Sequence, residues 1–140
     1  MSFVTAIARR LALAAVFMFV LSLSIESAEL ADFHAAVEAA TADYRAALTT
    51  LETSGQAETT AAVQRFRQSW QAINDRFGRD RPVMFADTEE FMRTFVLVDV
   101  RLIGVLLTID MGNRNAARDG LAPIADTLAD LSARSAPAAR

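Results

Sequence analysis

The chain carries a single histidine, His34, and no cysteine, so redox or metal chemistry would have to be built from imidazole, thioether and carboxylate groups. His34 lies near the start of the first helical stretch, Met84 in the longest connection and Met92 at the opening of the third helical stretch. In an antiparallel bundle those three places fall at one end, and imidazole with thioether can ligate haem iron or copper. A noncovalent haem or copper site made by His34 with Met84 or Met92 is therefore the cofactor arrangement these residue types admit. Against it, His34 flanks a core stripe at Phe33, where a half-exposed histidine is ordinary, and methionines fill gaps near helix ends. The leading expectation is accordingly no cofactor and no metal.

Carboxylate chemistry is also explained without a site. Asp87, Glu89 and Glu90 cluster, but acidic residues in the first turn of a helix are what capping and the helix dipole select. The chain has no Glu-x-x-His repeat of the di-iron bundles, no metalloprotease helix motif and no phosphate-binding glycine loop. A nucleophilic triad could be assembled only around His34, and no serine motif points to it. Trp70 shares a stripe with Phe66 and Ile73 and reads as core rather than as a binding platform. The expected protein is non-catalytic.

The more unusual pattern lies in the third helical stretch. Phe91, Phe95, Val98, Leu102, Val105 and Ile109 form the core stripe, while Val96, Val100, Ile103 and Leu107 repeat at 4-3-4 on roughly the opposite side. A helix in a small bundle should present polar groups there. Two apolar faces require two packing partners, which suggests self-association as a homodimer or contact with an envelope protein. The alternative is that another segment, such as the Pro82–Phe85 connection, covers the second face. The run from Phe95 to Ile109 contains Asp99 and Arg101 and is too short for a membrane span.

Four helical periods position these residues. In 29–53, Phe33, Val37, Ala40, Tyr44, Ala47 and Leu51 follow a 4-3-4-3-4 spacing, and Ser54-Gly55 ends the helix, glycine being suited to a left-handed residue after a C-terminus. In 56–77, Val63, Phe66, Trp70, Ile73 and Phe77 repeat at 3-4-3-4 with polar residues between them. Residues 78–86 form the longest connection, and Asp87 caps a helix reaching about 111, with Glu90 placed to reach back. Gly112-Asn113 then turns into a fourth helix with Leu121, Ile124, Leu128 and Leu131 inside it and Pro123 expected to bend it near Asp119-Gly120. Short, long and short connections favour an all-α, antiparallel up-down-up-down four-helix bundle over 29–134, with 135–140 a fraying tail.

The first 28 residues have the layout of a secretory signal: Arg9 and Arg10, an apolar stretch Leu11 to Leu23, then small residues at Ser22, Ser24, Ser27 and Ala28. The apolar stretch is shorter than the ~20 residues of a spanning helix, so removal is favoured over retention as an inner-membrane anchor facing the periplasm. A cut after Ser24, with Ser22 at the third position back, fits better than one after Ala28, where Glu26 takes that place. Export to the periplasm without cysteine excludes disulfides, a lipid-attachment thiol and thiolate metal sites. Losing Arg9, Arg10 and Glu26 moves the formal charge from −3 to −4, which implies neither nucleic acid nor an anionic membrane surface as partner. Membrane contact is expected only through the N-terminal segment if it is kept.

The elements FHAAVEAATADYRAAL, SWQAINDRFGRDRPVMFAD and GNRNAARDGLAPIADTLADL resemble a group of small exported bacterial proteins whose fold is similar to the periplasmic four-helix cytochromes. The resemblance covers nearly all of 29–134 and implies the bundle fold and the compartment. Proteins of the cytochrome c prime type attach haem through Cys-x-x-Cys-His near the end of the last helix, and here that region runs from Asp126 to Arg134 without cysteine or histidine. The b-type soluble bundle uses a Met early in the first helix and a His late in the last, and this chain has neither in those places.

Overall fold

In the computed structural model, residues 2–82, 85 and 87–137 are described, with side chains from Ser27 onward. Four helices follow one another: α1 (Ser2–Thr53), α2 (Gln56–Phe77), α3 (Thr88–Asp110) and α4 (Arg114–Ser135). Close backbone approaches join α1 to α2, α2 to α3, α3 to α4 and α4 back to α1, the ring of an up-down four-helix bundle in which α1 and α3 stand on the diagonal. The bulk of the expected signal segment lies outside the residues whose side chains are described. Among the described residues no helix is long and apolar enough to cross a membrane.

Each expected stripe is buried. Phe33, Val37, Ala40 and Ala47 of α1 are wholly enclosed, as are Val63 and Phe66 of α2, Leu102 of α3 and Leu121 of α4. Burying a leucine- or phenylalanine-sized side chain contributes about 1.5–3 kcal/mol, so this core is the main source of stability in a chain without disulfides. Two hydroxyls buried in it are paired. The Thr59 hydroxyl donates to the Thr50 and Gly55 carbonyls at 3.0 and 2.9 Å. Tyr44 donates to the Leu121 carbonyl at 3.2 Å, and burial first, then the nearby Asp126 carboxylate, pushes its phenol above the usual tyrosine range.

The helix ends follow local chemistry. Asp87 accepts from the amides of Glu89 and Glu90 at 2.9 and 3.0 Å, and Asn113 accepts from that of Ala116 at 3.1 Å. Gly112, with φ of +72°, supplies the left-handed residue of the α3–α4 turn. Gly55 departs from expectation. It is extended, with φ of −74° and ψ of 173°, and starts α2 rather than ending α1, its amide donating to the Glu58 carboxylate at 2.7 Å. The helix continues through Pro123 without interruption.

Two further differences concern the end of the bundle where the long connection lies. Phe85 turns inward and is buried, with its ring 5.0 Å from Phe33 and 5.3 Å from Phe91 and the Arg134 guanidinium 4.5 Å above it. Ser135, expected to begin a fraying tail, is the last residue of α4 and has no exposed surface. Its hydroxyl donates to the Leu131 carbonyl at 2.7 Å, which leaves the oxygen to accept from Nδ1 of His34 at 3.0 Å. A small polar residue packs here because its single hydrogen is used by its own helix and its lone pair by the neighbouring one.

Candidate interaction face on the third helix

The placement of α3 is set by its inner stripe. Phe91, Phe95, Val98, Leu102, Val105 and Ile109 are all buried. Trp70 of α2 stacks on Phe95 with centroids 4.5 Å apart and an interplanar angle of 24°, and its indole N–H donates to the Phe95 carbonyl at 3.2 Å. Trp70 is thus a core residue, 1% exposed. A second tie holds the rotation of α3 about its axis. Arg67 of α2 engages Asp99 with both arms of its guanidinium, Nε to Oδ1 at 2.7 Å and a terminal nitrogen to Oδ2 at 3.2 Å. Gln71 adds a third bond to Asp99 at 3.2 Å. The hydrogen bond from Arg67 holds the Asp99 carboxyl below the usual carboxylate range and outweighs the opposing effect of partial burial.

With α3 fixed in this way, its other stripe faces outward. Val96, Val100, Ile103 and Leu107 are 56%, 60%, 42% and 61% exposed. At ~100° per residue they span about 60° of the helix surface, roughly opposite the buried stripe. Phe85 of the connection does not cover them, being packed against Phe33, Phe91 and Arg134 at the end of the bundle. Leu97 and Met111, exposed at 58% and 73%, extend the patch. Sequence reasoning omitted both, although counting four residues on from Leu107 reaches Met111. A groove of about 420 Å³ between α2 and α3 adjoins the patch, lined by Trp70, Gln71, Asn74, Val96, Asp99 and Val100. It gives the apolar face a polar margin on the α2 side.

Two of the three proposed ligand residues are described. His34 is half-buried and turned towards Ser135 of α4. Met92, 36% exposed, sits four residues before Val96 at the N-terminal end of the outer stripe of α3, on the helix diagonal to that of His34. Met84 lies outside the described residues. Of the acidic cluster, Asp87 is occupied by capping and Glu89 pairs with Arg93 at 2.6 Å. Among the described residues, no three His, Asp or Glu side chains are grouped so as to hold a metal ion.

The fold and this face define the class: a cysteine-free, all-α up-down four-helix bundle with an apolar stripe left exposed on one helix. No protein-family model, curated protein or solved structure matches the chain.

Proposed function

We propose that this protein is an exported, non-catalytic helical bundle that acts through protein–protein contacts made by the outer face of α3, with Val96, Val100, Ile103 and Leu107 at its centre. The observation that carries the reading is the exposure of these four side chains on the side of α3 opposite the core. Left in water, such a stripe is unfavourable by about 25 cal/mol per Å² of apolar surface, and covering it with another protein chain recovers that free energy. The six large apolar side chains from Val96 to Met111 with Met92 expose on the order of 600 Å², the upper end of what monomers tolerate and close to the share of one partner in a stable complex. The partner is a second copy or another envelope protein, and export rests on the signal-like layout of residues 1–28.

The test is native mass spectrometry of the protein isolated from the envelope fraction of its own cells. The wild-type chain is expected to have lost its N-terminal segment and to run as an assembly with at least one further protein chain. The Val100→Ser/Ile103→Ser variant, with unchanged helical circular dichroism and Trp70 emission, is expected to run as a single chain. Single-chain mass for both proteins refutes the contact reading, and a retained N-terminal segment refutes removal of the signal.

A further inference from the structure

Resting on that reading, we infer that the occupant of the face is a second copy of this chain, with the two α3 helices packed antiparallel about a twofold axis passing between Arg101 and Leu102. The outer face has a seven-residue period: Arg93, Val100 and Leu107 share one position, and Val96, Ile103 and Asp110 the other. Where two such helices pack side by side in opposite directions, each residue of the first kind lies beside one of the second kind on the other helix. The axis sets Val100 beside Ile103 of the second copy and Val96 beside its Leu107, so that each apolar layer pairs a smaller side chain with a larger one. The next layer outward sets Arg93 beside Asp110 of the second copy. Twofold symmetry makes every one of these contacts twice.

The charges decide the direction. Asp110 is exposed, and its carboxylate forms no ion pair among the described residues; its backbone carbonyl accepts from Gln56. Arg93 is held only by Glu89 one turn earlier, a pair whose side chains are 64% and 83% exposed and which is of a kind that contributes little. An antiparallel copy brings each charge against its opposite at both ends of the apolar stripe. A parallel copy brings Arg93 against Arg93 and Asp110 against Asp110, which repel. Gly104 lies on the flank of the same face with nothing within 4 Å of where a Cβ would stand, room into which side chains of a second helix can settle. The stripe from Met92 to Met111 is roughly 28 Å long at ~1.5 Å per residue, enough to seat the facing helix along most of its length.

The absence of cysteine makes the geometry directly readable. In the full chain, Val96→Cys mixed with Leu107→Cys is expected to give a disulfide-linked heterodimer, whereas Val96→Cys alone is expected to give none, its two sulfurs being separated by about 16 Å along the helix. Arg93→Asp and Asp110→Arg are each expected to weaken the dimer tenfold or more in sedimentation equilibrium, and the double reversal to restore it. Cross-linking of Val96→Cys to itself, or single reversals without effect, overturns the antiparallel register. A native mass containing a different protein overturns the second copy as occupant and leaves the contact reading standing. A single chain in both wild type and Val100→Ser/Ile103→Ser brings down that reading as well.

Discussion

At Gly120, α4 passes close to Val105 of α3, and replacing this glycine by alanine tests the packing directly. A Cβ at Gly120 would stand 2.7 Å from Cγ2 of Val105, about 1 Å inside the 3.5–4.0 Å at which carbon atoms attract. Val105 cannot yield cheaply, since it is 2% exposed and a valine in a helix keeps essentially one χ1 rotamer. Two effects then oppose each other. Alanine in place of glycine in a helix interior stabilises by about 0.8–1 kcal/mol, and an extra methyl forced into a packed core costs about 1–3 kcal/mol. The net expectation for Gly120→Ala is a loss of about 1 kcal/mol, or roughly 3–6 °C in Tm for a domain of this size. Gly104→Ala is the control, because the same substitution there meets open space and should raise stability by about 1 kcal/mol. Both are measured by urea unfolding followed through Trp70, in the Val100→Ser/Ile103→Ser background so that association does not enter. In a further Val105→Ala background, Gly120→Ala should turn from destabilising to stabilising, a coupling of about 2 kcal/mol. A Gly120→Ala variant as stable as Gly104→Ala would refute the close approach of α4 to Val105.

Two predictions concern pH. The Asp99 carboxyl is held down by Arg67, so its contribution is present above the unfolded carboxylate pKa of about 4 and is lost as pH falls through the lower folded value. Asp99→Asn should cost about 1 kcal/mol at pH 7, a figure suited to a partly exposed, doubly bonded pair, and the gap to wild type should close below about pH 4; a gap unchanged down to pH 2 would refute the assignment. The Tyr44 phenol is pushed up by burial and by Asp126, so its contribution is complete below about pH 10 and disappears as pH rises through the folded value. Tyr44→Phe should cost about 1 kcal/mol at neutral pH through the lost bond to Leu121 and should unfold less steeply than wild type in alkaline titration; parallel alkaline limbs would show that the phenol is not responsible.

What could be read from the sequence divides along a physical line. The four buried stripes were legible because a 3-4 spacing of large apolar residues fixes which side of a helix must leave water, and that rule needs no knowledge of the neighbours. The capping roles of Asp87 and Asn113 were legible for the same reason, since a cap acts within one turn of its own helix. Features that depend on two distant segments were not. The burial of Ser135 requires His34 from the far end of the chain, the Arg67–Asp99 clasp joins two helices, and the Gly120–Val105 contact arises only once α3 and α4 are brought together. Gly55 was misplaced because a glycine between two helices can end one or begin the next, and the choice fell to the carboxylate of Glu58.

The α3 helix joins both sides of that line. Both of its apolar stripes are visible in the sequence, the longer one with Phe91 and Phe95 reads as the core, and the structure buries that one. Packing holds it there: Trp70 takes the Phe95 side and Arg67 takes Asp99, and rotating α3 to bury Val100 would break both contacts. The outer stripe is therefore left by the fold rather than by an accident of composition. Arg93 and Asp110 stand at opposite ends of the stripe at complementary heptad positions, and within one bundle they are about 26 Å apart along the helix at ~1.5 Å per residue, too far to attract each other usefully in water. A second copy running the other way brings both into contact with an opposite charge, which is why reversing either should weaken the pair and reversing both should restore it.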